Sequence, residues 1–412
     1  MNERTGHTFR AFRNRNYALF FTGQSVSQIG TWMQRTAVIW VIYSLTHSAA
    51  MIGFAVFAQQ FPSFLLSLTG GVVADRHSRY RILLITQVAS MLQAIWLAVL
   101  VLGGHYVIWE ILSLGAVLGV INAFDVPARQ PMVHEMVDDK EDLANAISLN
   151  SAMVNLARLV GPALSGIVLQ RLGAGVCFII NAVSFLAVIT SLLLMRHAPF
   201  VAPAVKKKVS TELAEGLRYL KEARNITLLI ILLMALSLLV LPYDTLVPVF
   251  AKVIFGGNAA TYGYITAAIG LGALGSAFFM ASVKRGADLR IFLLGSITVL
   301  GVGLILFSRA TWFPVALPFA VVLGLGSITP MSTSITIIQM ETAAHMRGRV
   351  MSYVAMAYFG MLPLGSLLIG FISQKIGAPL TMLGQGILGI LIAVIFGKIF
   401  YQQNKYTHAT AK

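Results

Sequence analysis

The chain has 412 residues, of which 57% are hydrophobic and only 11% are charged, whereas a soluble domain has about 25% charged residues. This composition excludes an ordinary soluble globular protein and indicates a membrane protein. The formal net charge of +15 would suit a nucleic-acid partner, but no basic stripe with interleaved aromatic residues is present, so we expect no nucleic acid. The single cysteine, Cys177, rules out an internal disulfide and a thiolate zinc cluster.

Long apolar stretches recur along the whole chain, and each is long enough to cross a hydrocarbon core about 30 Å thick as a helix. Helices are favoured because open backbone polar groups cannot face lipid, and no strand-like alternation of the barrel type is present. We therefore predict an all-α membrane protein with twelve transmembrane helices. The predicted segments, numbered 1 to 12, cover residues 17–45, 49–74, 82–103, 106–127, 143–170, 175–195, 226–250, 260–283, 290–308, 312–337, 350–374 and 379–401.

One long polar break, residues 197–225, separates segments 1–6 from segments 7–12 and predicts an amphipathic linker helix that begins near Ser210 or Thr211. The two halves are similar, because "SGIVLQRLGA" at 165–174 matches "IGFISQKIGA" at 369–378. We predict two pseudo-symmetric six-helix bundles. The expected division is an N-terminal tail at 1–16, bundles at 17–196 and 226–402, the linker at 197–225 and a C-terminal tail at 403–412.

The positions of the basic residues predict the orientation of the chain. Most of the 30 Lys and Arg residues lie in the two tails, in the linker and in the other loops that follow even-numbered segments. Because cytoplasmic loops of membrane proteins are enriched in Lys and Arg, we expect both tails and the linker on the cytoplasmic side.

Segment 1 carries polar residues on one face of its predicted helix. Gln24, Gln28, Thr31 and Arg35 follow one another at spacings of four, three and four residues. A cation inside the membrane costs about 2.5–3.5 kcal/mol, so we expect Arg35 to face a partner or water.

Residues 70–84, "GGVVADRHSRYRILL", concentrate charge between segments 2 and 3. Asp75 lies at the cytoplasmic end of segment 2, and Asp125 lies at the cytoplasmic end of segment 4. An arginine between two partly desolvated carboxylates would neutralise both, so we predict a network of Asp75, Arg79 and Asp125. Alternatively, Arg76, Arg79 and Arg81 only keep the loop on the cytoplasmic side.

Segment 5 carries a second polar stripe, which contains Asn155 and Arg158. Arg158 is predicted near the middle of the bilayer, where an ionised residue is rare and usually functional. It could attract an anionic substrate or act on a nearby proton-carrying carboxylate; alternatively, it only binds backbone carbonyls that Pro162 frees. The small residues Gly161 and Gly166 would let another helix approach closely.

Several stretches resemble the drug-efflux branch of the major facilitator superfamily, which includes macrolide-efflux and enterobactin-exporter proteins. "GVVADRHSR", from Gly71 to Arg79, is similar to the loop signature between the second and third helices of that superfamily. "GPALSG", from Gly161 to Gly166, resembles a fifth-helix motif associated with antiporters. The other similar stretches are "RNRNYALFFTGQSVSQIGTWMQ", "FDVPARQPMV", "EGLRYL" and "RGRVMS", and together they cover nearly the whole chain.

This resemblance implies roles for particular residues. In proteins of similar sequence the loop signature latches the two bundles on the cytoplasmic side, so Gly71, Asp75 and Arg79 would belong to a gate. Segments 1 and 7 hold equivalent places in the superfamily, so Arg35 and Asp244 could meet as an external gate, a coupling pair or a fixed structural ion pair. Alternatively, Asp244 is solvated near the external surface. The candidates for the substrate or proton pathway are Gln24, Gln28, Arg35, Asn155, Arg158 and Asp244.

The sequence contains no GxxxxGK[ST], HExxH, GxSxG or Cys/His metal spacing, so we expect no ATP-driven pump, no enzyme, no metal site and no cofactor. We predict a monomeric secondary efflux transporter of the bacterial inner membrane that works by rocking-bundle alternating access. The expected partners are protons, membrane lipids and an amphipathic or anionic small molecule: a drug, a macrolide-like compound or a siderophore. The alternatives are a proton-coupled nutrient symporter and a non-transporting membrane sensor on the same fold.

Overall fold

The computed structural model describes residues 10–104, 106–137, 140–196, 209–283 and 288–410, and within these residues the secondary structure is helical, without a strand. A short 3₁₀ turn, Arg10–Arg13, precedes the helices of the first half. These helices are α1 (Arg15–Thr46), α2 (Ala49–Arg76), α3 (Arg79–Gly103), α4 (Ile108–Glu135), α5 (Lys140–Leu172) and α6 (Ala174–Leu194).

The second half begins with a linker helix, Val209–Glu222, at the place where the sequence predicts one. The later helices are α7 (Arg224–Leu239, continued by short helical pieces at Leu241–Thr245, Val247–Val249 and Phe250–Ile254), α8 (Ala259–Ser282), α9 (Leu289–Arg309), α10 (Phe313–Ser327 and Thr329–Glu341), α11 (Arg347–Ala355, Met356–Gly360 and Met361–Ile376) and α12 (Ala378–Thr410).

Each predicted segment corresponds to one of these helices, so the predicted all-α membrane fold is confirmed. Eleven helices in the described part of the chain are long and apolar enough to cross a membrane. The remaining one is α1, which has 32 residues and is therefore about 48 Å long. Polar residues such as Gln24, Gln34 and Arg35 reduce its apolar character, but its length exceeds the thickness of the hydrocarbon core.

The helix breaks of the second half lie near prolines, which lack a backbone donor. The stretch after α7 contains Pro242 in a 3₁₀ turn and ends in a π-helical turn. Helix α10 breaks at Ile328, two residues before Pro330, and α11 contains a π-helical turn, Met356–Gly360, three residues before Pro363. In α7 and α11 the backbone hydrogen bonds therefore change from the α-helical pattern to a 3₁₀ or π pattern within the helix.

The described chain forms two compact units. One unit contains α1, α3–α6, most of α2 and the stretch Asn258–Ala267, which includes the start of α8. The other contains the stretch Ser48–Phe57, the linker helix, α7, the rest of α8 and α9–α12. The domain boundaries that the sequence suggests, 17–196 and 226–402, remain a prediction.

The sequence repeat corresponds to a repeated turn. Gly173 precedes α6 and Gly377 precedes α12, and both have φ +85°. A residue with a side chain is strained in this left-handed region, so glycine is required at both turns. The turn between the fifth and sixth helices of each half is therefore built in the same way.

Helix α1 is held to its neighbours by polar contacts as well as apolar packing. The Tyr17 hydroxyl donates to the Ala146 carbonyl of α5 at 2.9 Å, and the Ser165 hydroxyl donates to the Met33 carbonyl at 3.1 Å. A Cβ atom on Gly161 would lie 2.5 Å from the Trp32 Cβ atom. Helices α1 and α5 therefore cross too closely at Gly161 for any side chain there.

Buried amides join α1 to α3, α4 and α6. Gln34 Nε2 donates to Gln93 Oε1 at 2.9 Å, and Asn181 Nδ2 donates to Gln34 Oε1 at 2.8 Å. Gln93 Nε2 donates to the Leu114 carbonyl at 3.2 Å. Because these buried polar groups have partners, the amide network stabilises one arrangement of four helices.

Candidate functional site

The predicted contact between Asp75 and Arg79 is present. Asp75 lies in the last turn of α2, Arg79 is the first residue of α3, and Arg79 Nη2 lies 3.8 Å from Asp75 Oδ1. Arg79 also forms an ion pair with Glu135, the last residue of α4. Glu135 was not predicted as a partner of Arg79, although an acidic residue near the cytoplasmic end of segment 4 could have suggested one.

The predicted extension of this network to Asp125 is wrong. Asp125, only 2% exposed, pairs with Arg129 one helical turn later, and Asp125 Oδ1 accepts hydrogen bonds from Thr86 Oγ1 at 2.9 Å and from Gln87 Nε2 at 2.8 Å. The reason is that α4 continues to Glu135 instead of ending at 127. Arg129 is thereby placed on the same helix face as Asp125, four residues away.

Arg76 and Gly71, the other two residues of the predicted gate, have few neighbours. Arg76 is exposed and has no ion pair among the described residues, which suits a role in orienting the loop. A Cβ atom on Gly71 would meet nothing within 4 Å. The preceding residue, Gly70, is the one that packs against the backbone of α4 at Ala123, so Gly70 allows the close crossing of α2 and α4.

Arg158 lies in the middle of α5 and contacts an indole. Its guanidinium carbon lies 5.1 Å from the centre of the Trp32 ring. Within the described chain Arg158 has no carboxylate partner, and its Nε atom is buried without a hydrogen-bond acceptor. The alternative prediction, in which Arg158 binds carbonyls freed by Pro162, has no support, because α5 is continuous through Pro162 and its described hydrogen bonds include none from Arg158.

Arg35 contacts the same ring as Arg158. Its guanidinium carbon also lies 5.1 Å from the centre of the Trp32 indole. Trp32 is half-buried at the crossing of α1 and α5. Two arginines from different helices therefore share one aromatic side chain, a contact worth about 0.5–2 kcal/mol for each cation.

Asn155, Gln24 and Gln28 have other surroundings than the indole of Trp32. Asn155 donates to the Ser151 carbonyl at 3.0 Å on its own helix. Gln24 is 3% exposed, and its Oε1 atom has no partner in the described part of the molecule. Gln28 is half-buried. The best-connected glutamine of α1 is Gln34, which the polar stripe of the sequence analysis did not include.

Asp244 lies in the 3₁₀ piece Leu241–Thr245 and is exposed. It belongs to the second unit, whereas Arg35 belongs to the first. Their pairing remains a prediction.

The small residues of "GPALSG" let another helix approach α5 closely, as the sequence predicts. A Cβ atom on Gly166 would lie 2.9 Å from the Gly263 Cα atom, and one on Gly263 would lie 2.7 Å from the Pro162 carbonyl oxygen. The start of α8 therefore packs directly on the backbone of α5.

The second unit has its own ion pairs at comparable helix ends. Arg290, in the first turn of α9, pairs with Glu341, the last residue of α10, at 2.9 Å. Glu215 of the linker helix pairs with Arg349 in the first turn of α11 at 2.7 Å, and the Tyr219 hydroxyl accepts a hydrogen bond from the Ala343 amide at 3.3 Å. The linker helix is thus attached to the start of α11.

The fold is similar to that of solved transporter structures. A POT family transporter is similar over 94% of this chain and 96% of its own, with a TM-score of 0.76 at 13% identity. The nucleoside transporter NupG gives a TM-score of 0.71, over 93% and 99% of the two chains, also at 13% identity. At such low identity these structures establish the fold alone.

The family model described as "Transmembrane secretion effector" matches residues 6–409, and the chain belongs to this family of efflux transporters. It is 26% identical to the staphyloferrin A transporter of Staphylococcus aureus, over 92% of this chain and 94% of that protein. It is 25% identical to the multidrug efflux pump Tap of Mycolicibacterium fortuitum, over 89% and 91%. It is also 25% identical to the enterobactin exporter EntS of Salmonella typhimurium, over 92% of each chain. The family resemblance expected from the sequence is confirmed, and the chain is a transporter, not an enzyme.

Proposed function

We propose that this transporter exports an amphipathic or anionic small molecule, a drug, a macrolide-like compound or a siderophore, in exchange for protons. It would do so as a monomer in the bacterial inner membrane, with both termini in the cytoplasm, by alternating access. Relatives named as siderophore and multidrug exporters support this choice of substrates. The enrichment of Lys and Arg in the tails and even-numbered loops supports the orientation.

The observation that carries proton coupling is the buried carboxylate of Asp125. Among the described residues it is the one acidic side chain in the buried set, and Arg129, Thr86 and Gln87 surround it. If helix movement takes Arg129 away, the carboxylate becomes an unpaired buried charge, at a cost of about 3–5 kcal/mol. Protonation removes that cost, so a conformational change that breaks the pair would be coupled to uptake of a proton.

Glu110, at the start of α4, is a carboxylate with a structural partner. Its Oε2 atom accepts a hydrogen bond from the Val107 amide at 3.0 Å, and it is exposed at the start of the helix. An exposed carboxylate remains hydrated, so its charged form carries no cost of burial. Glu110 is therefore a suitable control for Asp125.

The experiment uses inside-out membrane vesicles with an acid interior and a panel of dyes, macrolides and catecholate siderophores. Wild-type vesicles should accumulate at least one compound, and a protonophore should abolish the accumulation. Asp125→Asn, which resembles a permanently protonated side chain, should remove the gradient-dependent part, whereas Glu110→Gln should retain it. Gel filtration of the purified variants checks that they fold. Accumulation by Asp125→Asn at the wild-type rate, or no gradient-dependent accumulation by the wild type, would contradict the proposal.

A further inference from the structure

The charge of Arg158 is not neutralised within the described structure. Its guanidinium contacts the face of Trp32, but no carboxylate of the described residues lies within ion-pair distance, and its Nε atom is buried without an acceptor. An aromatic ring attracts a cation through its quadrupole and leaves the net positive charge in place. Ionised residues inside a membrane usually pair with one another or line a substrate pathway.

Arg35 adds a second positive charge at the same ring. Each guanidinium carbon lies 5.1 Å from the ring centre, so the two are separated by at most twice that distance. A guanidinium group of α1 therefore lies beside the guanidinium group of α5 at one indole.

The helix crossing holds this group in place before any ligand arrives. Trp32 packs against Gly161. The next residue of α1, Met33, accepts a hydrogen bond at its carbonyl from the Ser165 hydroxyl of α5. These contacts join α1 and α5 close to the arginine pair. A preorganised site loses less conformational entropy on binding.

We propose that Arg158 and Trp32, with Arg35 beside the same ring, form a binding site for a carboxylate that is attached to a flat apolar group. Guanidinium groups match the geometry of a carboxylate and bind it with two parallel hydrogen bonds. The half-buried indole would contact the apolar part of the same molecule. This proposal rests on the proposed function, and it narrows the exported compounds to amphipathic carboxylates.

The test measures equilibrium binding of radiolabelled naphthoate to the purified full-length protein in lipid nanodiscs. Naphthamide has the same ring system without the charge and serves as the matched ligand. The wild type should bind naphthoate at least about tenfold more tightly than naphthamide, as expected for a charge-assisted hydrogen bond. Equal binding of the two ligands, or no binding of naphthoate, would overturn the proposal.

Variants assign the binding to the site. Arg158→Gln should weaken naphthoate binding about tenfold or more and leave naphthamide binding unchanged, which also shows that the variant is folded. Arg158→Lys keeps the charge but lacks the planar guanidinium, so its affinity for naphthoate should lie between those of the wild type and Arg158→Gln. Arg171→Gln, an equal loss of charge at the exposed end of the same helix, should bind like the wild type. Trp32→Leu should weaken the binding of both naphthoate and naphthamide. If Arg158→Gln and Arg171→Gln bind naphthoate equally, the proposal is wrong.

Binding and transport separate this proposal from the proposed function. Arginine-dependent naphthoate binding without gradient-driven accumulation of any compound would support the site and contradict the exporter. Proton-driven accumulation of neutral or cationic compounds by a protein that does not distinguish naphthoate from naphthamide would support the exporter and overturn the carboxylate site.

Discussion

The two halves of this transporter place an ion pair at the same kind of position and differ in what lies deeper. Arg79 at the start of α3 pairs with Glu135 at the end of α4, and Arg290 at the start of α9 pairs with Glu341 at the end of α10. The first half adds the buried pair of Asp125 with Arg129.

In the second half, the last part of α10 carries buried hydroxyl groups instead. Thr333 and Ser334 are fully buried, and their side-chain oxygens have no hydrogen-bond partner among the described residues. The buried polar groups of the first half, by contrast, include the connected amide network of Gln34, Gln93 and Asn181.

This difference shows which contacts have large energetic effects. An exposed ion pair contributes about 0–1 kcal/mol, and Glu135 is 55% exposed. Removal of one partner from a buried pair costs about 3–5 kcal/mol. The pairs Arg79–Glu135 and Arg290–Glu341 therefore contribute little to the stability. Breakage of the buried pair Asp125–Arg129 has the larger energetic effect and can be linked to a conformational change.

The largest effect is expected for Arg129→Gln. This change leaves Asp125 as an uncompensated buried charge and should lower the free energy of unfolding by about 3–5 kcal/mol. Denaturant titration of the purified protein in detergent measures the loss. The double variant Asp125→Asn with Arg129→Gln has no buried charge and should be more stable than Arg129→Gln alone. A double variant that is less stable than the single one would contradict our account of the pair.

The next effect concerns the amide network. Gln34→Leu removes a donor and an acceptor and leaves the amides of Gln93 and Asn181 without their partner, so it should destabilise the protein by about 1–3 kcal/mol. The folded fraction should transport at the wild-type rate, because the network holds helices together and its hydrogen bonds among the described residues reach no predicted pathway residue. Comparison of thermal unfolding with the initial rate in vesicles checks both statements. A large fall in rate without a loss of stability would show that the network takes part in transport.

The matched exposed pairs should give smaller and similar changes. Glu135→Gln and Glu341→Gln should each lower the free energy of unfolding by about 1 kcal/mol or less, and high salt should reduce both effects because it screens exposed charges. Thermal unfolding at low and high ionic strength measures this. If Glu341→Gln alone were as damaging as Arg129→Gln, the contrast between the two halves would be wrong.

The smallest effect is expected for Thr333→Val. The Thr333 hydroxyl is buried without a partner among the described residues, so an isosteric methyl group removes no hydrogen bond and avoids the cost of a buried unsatisfied oxygen. The stability should be unchanged or raised by about 1 kcal/mol. A fall of more than that in thermal unfolding experiments would mean that this hydroxyl has a stabilising contact.

Local patterns in the sequence predicted the helices and the positions of the charges. Apolar runs of sufficient length determine membrane helices because an unsatisfied backbone cannot face lipid, so α2 to α12 could be located from composition alone. The contact of Asp75 with Arg79 was also predictable, because the two residues are four positions apart. The repeat around Gly173 and Gly377 indicated equivalent turns for the same local reason.

The tertiary structure decided which polar groups meet. Asp125 pairs with Arg129 and receives Thr86 and Gln87 from α3, whereas Arg79 reaches Glu135. Trp32 became the partner of Arg158 because Gly161 lets α1 and α5 cross at that level. Helical periodicity determines only which residues share a face. The rotation and crossing point of each helix, and therefore the partner of each buried charge, depend on packing between residues far apart in the chain.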